Sequence, residues 1–117
     1  MFKITNLNDE AKQSVKISVG NNKIVKLTFE YCPNQRCWWF DIECDDLKFY
    51  SYGHKLTNCP NIIREFQNLL PFGIGCNVLD NQEPWFQNDF ITGRVSVYIL
   101  DKEEVQEIGQ VLYGKIW

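Results

Sequence analysis

The sequence predicts an all-β, mainly antiparallel domain: a small sandwich or partly open barrel built from a β-meander, with a short helical or irregular segment and an extended C-terminal tail. Three observations carry that expectation. Apolar residues alternate with polar ones over several short runs, the period of a half-buried strand. Glycine, proline and asparagine separate those runs at turn-like intervals. Four Trp, five Tyr and eight Phe among 117 residues supply the bulky side chains that pleated surfaces favour.

Residues 1–13 are polar and without sustained period, and read as an N-terminal arm that orders only against another body. Residues 14–19 alternate with Val15, Ile17 and Val19 inward, and Gly20, Asn21, Asn22 and Lys23 supply a turn that tolerates positive φ. Residues 24–31 place Val25, Leu27, Phe29 and Tyr31 on one face and Lys26, Thr28 and Glu30 on the other, which completes a hairpin. A turn at 33–36 leads to a third strand at 37–43. A second turn at 44–46 leads to a fourth at 47–52, which Gly53 ends. On the third strand Trp38, Phe40 and Ile42 share one face while Cys37, Trp39, Asp41 and Glu43 share the other. A large apolar Trp39 on that second face needs cover from another sheet, a loop or a neighbouring subunit.

Beyond Gly53 the pattern changes. Pro60 precedes NIIREFQNLL, which sets Ile62, Ile63, Phe66, Leu69 and Leu70 at helix-like spacing, so a short helix or a packed irregular loop is expected. Pro71, Gly73 and Gly75 end that segment, and 76–80 reads as a short strand. Residues 81–92 form a polar loop that holds Pro84, Trp85, Phe86 and Phe90, an unusual concentration of aromatics. Residues 93–100 alternate strictly, with Val95, Val97 and Ile99 opposite Arg94, Ser96 and Tyr98. In the extension at 101–117, Val105, Ile108 and Leu112 recur at helical spacing behind Asp101 as N-cap, with Glu103 and Glu104 near the positive end. The chain thus divides into an arm (1–13), a β-domain (14–100) and a C-terminal extension (101–117).

Composition narrows the function classes. One domain's worth of residues permits a single core. A net charge of −3 with twelve scattered Lys and Arg lacks the basic stripe of a nucleic-acid binder. The apolar runs fall well short of the roughly 20 residues that cross a bilayer, and the first residues are too polar for a signal peptide, so a soluble protein made in the cytosol is expected. Five cysteines, an odd number without an export signal, point to reduced thiols, with an intermolecular disulfide as the variant in an oxidised assembly. Cys32 and Cys37 have the spacing of a zinc loop, but a second ligand pair is missing and His54 is the sole imidazole.

No catalytic set emerges from the residues. Asp41, Glu43, Asp45 and Asp46 lack calcium-loop spacing and read as a solvated hairpin end. His54 near Ser51 or a Cys would need an orienting third group, and a turn histidine is the default reading. Gly73, Ile74 and Gly75 are too short for a phosphate loop. The exposed-looking aromatics suit a carbohydrate platform or, preferably, packing across a subunit interface. We therefore expect no catalytic, cofactor or metal residues, and an interface drawn from Trp39, Trp85, Phe86, Phe90, Val105, Ile108, Leu112 and Trp117.

The order of features resembles a known family. It runs through Trp38, Trp39, Phe40, Asp41 and Ile42, then Gly53, the leucine-rich run from Ile62 to Leu70, Phe72 to Gly75, and TGRVSVYIL at 92–100. This order is similar to the small baseplate plug-type proteins of contractile-tailed phages, over residues 14–100. The turn at 44–46 is tighter than in that family, and 101–117 extends beyond the strand where members often stop. The resemblance implies a non-enzymatic structural component of a contractile tail, made in the host cytoplasm and assembled into the virion in several copies. It would sit at the baseplate centre as a plug, contacting hub, tube or wedge subunits but neither nucleic acid nor membrane. The alternative is a β-module that recognises carbohydrate through exposed aromatics.

Overall fold

A computed structural model describes residues 2–20 and 22–113, with side chains to residue 111. Among these residues seven strands form: β1 (Phe2–Lys3), β2 (Lys12–Val19), β3 (Lys23–Cys32), β4 (Cys37–Cys44), β5 (Phe49–Lys55), β6 (Phe72–Val78) and β7 (Val95–Asp101). A helix, α1 (Lys102–Tyr113), follows. All pairings are antiparallel, in two sheets ordered β2-β3-β4-β5 and β1-β7-β6. The predicted all-β meander is the first sheet. The two sheets stay separate, so the sandwich holds and the barrel does not close.

Alternation places one core between the sheets. Val15, Ile17, Val25, Leu27, Phe29, Trp38, Phe40 and Ile42 from the first sheet join Ile74, Val78, Val95, Val97 and Ile99 from the second in one buried cluster. Trp38, with no exposed surface, is the largest side chain in it. Each such side chain contributes on the order of 1.5–3 kcal/mol by leaving water.

Four local features differ from the sequence expectation. First, the amino-terminal segment orders on its own chain: Phe2 and Lys3 pair with Ile99 and Tyr98, and Ile4 is buried. Ile4 in the core, Leu7 packed against it and backbone hydrogen bonds to β7 add this edge strand, a signal too short to show as a period. Second, Gly53 does not end β5. The register slips between Phe40 and Ile42, and Gly53, at φ 75°, absorbs the extra residue while its N–H donates to Asp41 Oδ1 at 2.8 Å.

Third, β6 begins at Phe72, so the glycines read as a turn lie inside a strand. A Cβ on Gly75 would come 2.7 Å from the Pro60 carbonyl oxygen, and one on Gly73 would come 2.8 Å from Val105 Cγ2. Both positions are glycine because chain and helix press on that face. Fourth, residues 56–71 form the packed irregular loop, with only a 3₁₀ turn at Arg64–Phe66. Residues 59–62 are drawn out along β6 by the Cys59–Cys76 bridge and by Ile62 N–H to Ile74 O at 2.7 Å. Ile63 and Leu70 reach the core, and the Phe66 ring meets Phe49 edge-on at 5.1 Å.

The extension begins as expected. Asp101 Oδ1 accepts from Glu104 N–H at 2.8 Å, and Glu104 Oε1 accepts from Asp101 N–H at 3.1 Å, a reciprocal capping box. Val105 is buried, so α1 belongs to the domain's packing.

Candidate interaction surface

Residues 79–94 connect the last two strands and are held from three sides. Arg94 is the hub of the loop. Its Nε donates to Asp80 Oδ2 at 3.0 Å, Nη1 to Asp89 Oδ2 at 2.9 Å, and Nη2 to the Glu83 carbonyl at 2.9 Å. Asp89 is buried, and its Oδ2 also accepts from Phe86 N–H at 2.9 Å. A buried carboxylate is tolerable here because charge and hydrogen bonds both satisfy it. Burial acts against the Arg94 charge, but hydrogen bonds to Asp80 and Asp89 outweigh it and raise its pKa.

The same loop is pinned to the first sheet. Tyr31 Oη donates to the Trp85 carbonyl at 2.6 Å, and Trp38 Nε1 donates to the Phe86 carbonyl at 3.1 Å. Gln87 Nε2 donates to the Asp9 carbonyl at 2.8 Å, which ties in the amino-terminal segment. Phe90 turns inward, with its ring 4.8 Å from Trp38 and 6.0 Å from Phe29.

Trp85 and Phe86 consequently face outward from an immobilised backbone, 39% and 41% exposed. The Arg94 guanidinium lies 5.6 Å and 5.2 Å from their ring centroids, and Arg36 lies 5.4 Å from Phe86. Gln35, Arg36, Trp85 and Phe86 line a shallow depression. Trp39 joins its margin, since Trp39 Nε1 donates to Gln35 Oε1 at 3.0 Å. Among the described residues no carboxylate pairs with Arg36.

The structure thus brings three of the predicted interface residues, Trp39, Trp85 and Phe86, to one end of the sandwich. Phe90 packs inward against Trp38 and Phe29, Val105 is buried, and Ile108 is half-buried on α1. The Leu112 side chain and Trp117 lie outside the described residues. Gln35 and Arg36, which the sequence did not single out, reach this depression because a turn meets a loop about fifty residues away. No short-range pattern marks that meeting.

The chemical candidates resolve differently. Three of the four hairpin acids hold local structure rather than facing solvent alone: Asp41 takes Gly53 N–H, Asp45 accepts from Tyr50 Oη at 2.6 Å, and Asp46 accepts from Ile24 N–H at 2.8 Å. The Asp45 hydrogen bond raises the Tyr50 pKa. His54 lies in β5, not in a turn, and its Nε2 is 2.6 Å from Ser51 Oγ. Its ring packs against Phe40 at 5.4 Å and Phe66 at 5.8 Å, and among the described residues no carboxylate hydrogen-bonds its other nitrogen. No cluster of three or more metal-ligating side chains occurs among the described residues. Nor is any described helix long and apolar enough to cross a membrane.

The chain is a small two-sheet antiparallel domain with aromatic and arginine side chains gathered at one end. Residues 1–103 match the family described as cyanophage baseplate Pam3 plug gp18, and the chain belongs to this family of phage baseplate plug proteins. Its role is structural, in the baseplate of a phage tail, and its partners are other tail or baseplate proteins. The match ends in the first turn of α1. No curated protein matches the chain.

Proposed function

We propose that this chain is a non-enzymatic plug subunit at the centre of a contractile-tail baseplate, associated with the hub and present in several copies. It contacts hub, tube or wedge subunits through Trp85 and Phe86, with the Arg36 guanidinium, which no carboxylate among the described residues pairs, offered to a partner carboxylate and Trp39 at the margin. One observation carries this reading: two large aromatics are exposed although their backbone is locked by Tyr31, Trp38 and Arg94. Anchors held in place before binding lose little conformational entropy on association, the property of interface hot spots. The aromatic packing around His54, with no carboxylate among the described residues hydrogen-bonded to its other nitrogen, supports the non-enzymatic part.

The test is incorporation of Trp85→Ala/Phe86→Ala into assembling tails, beside its thermal unfolding as the free protein. A folded variant that fails to incorporate supports the proposal, and normal incorporation overturns it. Normal incorporation with loss of glycan-array binding would favour the carbohydrate reading instead. The contribution of Trp117 is tested by deleting 114–117. Deletion from 101 would also remove the buried Val105.

A further inference from the structure

Four of the five cysteines stand opposite one another in antiparallel register: Cys32 faces Cys37 at the end of the β3–β4 hairpin, and Cys59 faces Cys76 in a bridge outside the named strands. The second pair joins the irregular 56–71 segment to the core sheet. Its two residues exchange both backbone hydrogen bonds, Cys59 N–H to Cys76 O at 3.1 Å and Cys76 N–H to Cys59 O at 2.9 Å. Such a reciprocally bonded pair has its Cα atoms about 5.5 Å apart with both side chains on one face. That Cα separation falls inside the range of about 4.4–6.8 Å that a disulfide spans, whereas the Cβ atoms of such a bonded pair, about 5–5.5 Å apart, must close by roughly 1 Å for the bond to form.

We propose that Cys59 and Cys76 are a redox site that closes to an intrachain disulfide when the protein meets a low-molecular-weight disulfide such as oxidised glutathione. The two thiols differ in a way that orders the chemistry. Cys59 is half-buried and accessible, with its Sγ 3.5 Å from the Asn61 carbonyl oxygen. Cys76 is buried, and burial, followed by the nearby Glu83 carboxylate, Cys59 and Asp89, pushes its thiol up to about 12. Cys59 is therefore the attacking group.

Cys59 loses its proton, and its thiolate attacks one sulfur of glutathione disulfide; the S–S bond breaks and one glutathione thiolate leaves. Cys76, on losing its proton, then attacks the Cys59 sulfur of the mixed disulfide and expels the second glutathione thiolate. The two released protons end on the two glutathione thiolates, so two protein thiols are oxidised and one glutathione disulfide is reduced. Closure fastens residues 60–75 as a loop, covalently tying residue 59 to β6 beside the close contact of Pro60 with Gly75. The inference is independent of the tail-assembly reading.

The test incubates the native, reduced full chain with glutathione disulfide, quenches it with a thiol-alkylating reagent, and measures intact mass and a non-reducing peptide map. Expected is a cross-linked pair of peptides containing Cys59 and Cys76, and an intact chain that carries two fewer alkyl groups than the reduced, alkylated control for each bond closed. Cys59→Ser should abolish that cross-link and leave Cys76 as a free thiol. A map showing only Cys32–Cys37, or a glutathione adduct on Cys59 that persists without resolving, overturns the proposal. The wild-type map decides the matter even if the variant fails to fold.

Discussion

Arg94 Nη1 and Asp89 Oδ2 lie 2.9 Å apart, and the Asp89 side chain is only 1% exposed. The pair joins the first residues before β7 to the loop that carries Trp85 and Phe86, and the same Asp89 oxygen holds Phe86 N–H. Asp89→Ala leaves the Phe86 amide and part of the Arg94 guanidinium without their acceptor. We expect a loss of about 3 kcal/mol in urea unfolding, typical for breaking a buried ion pair by removing one partner. Amide exchange across 81–93 should rise at the same time. Unchanged exchange in that loop would show that the ion pair does not hold it.

Asp80 completes the clamp from the exposed side, and its hydrogen bonds from Arg94 hold its carboxyl below the usual carboxylate range. A folded pKa below the unfolded one gives a contribution that is present above the unfolded value and lost as pH falls through the folded value. Wild type should therefore lose stability relative to Asp80→Asn below pH about 4, and hold its relative stability above it. Parallel acid-unfolding curves for the two proteins would refute this.

Gly75 bears on the second sheet. The nearest atom to an added Cβ is backbone, the Pro60 carbonyl oxygen at 2.7 Å, so relief requires moving the chain and not a side-chain tip. Gly75→Ala should cost about 1–3 kcal/mol by thermal or urea unfolding. An unchanged melting temperature would contradict the close approach.

The cap of α1 offers a smaller effect. Asp101→Ala removes the acceptor for Glu104 N–H and should destabilise the protein by about 1 kcal/mol. Glu104→Gln, which keeps an acceptor for Asp101 N–H, should cost less. Equal losses from both variants would argue that the capping box is not what starts the helix.

Much of this fold was legible locally. Val15, Ile17, Val25, Leu27, Trp38, Phe40, Val95 and Val97 are buried because alternation along a strand sends every second side chain to one face, a property of the chain itself. The Asp101 cap was legible for the same reason, since the box closes within three residues. The surplus aromatics on the third strand and in the polar loop likewise announced that packing would extend beyond one sheet face.

The tertiary structure alone decided which aromatics stay outside. Phe86 and Phe90 sit four residues apart in one loop, yet Phe90 packs on Trp38 while Phe86 remains exposed under Arg36. That sorting follows from Arg94, Asp89 and Tyr31 fixing the loop, and those contacts join residues whose spacing carries no period. The same holds for Gly75 and for the Cys59–Cys76 bridge, where a segment without a strand pattern lies along β6. Local sequence determines which face a residue takes; only the meeting of distant segments determines what that face touches.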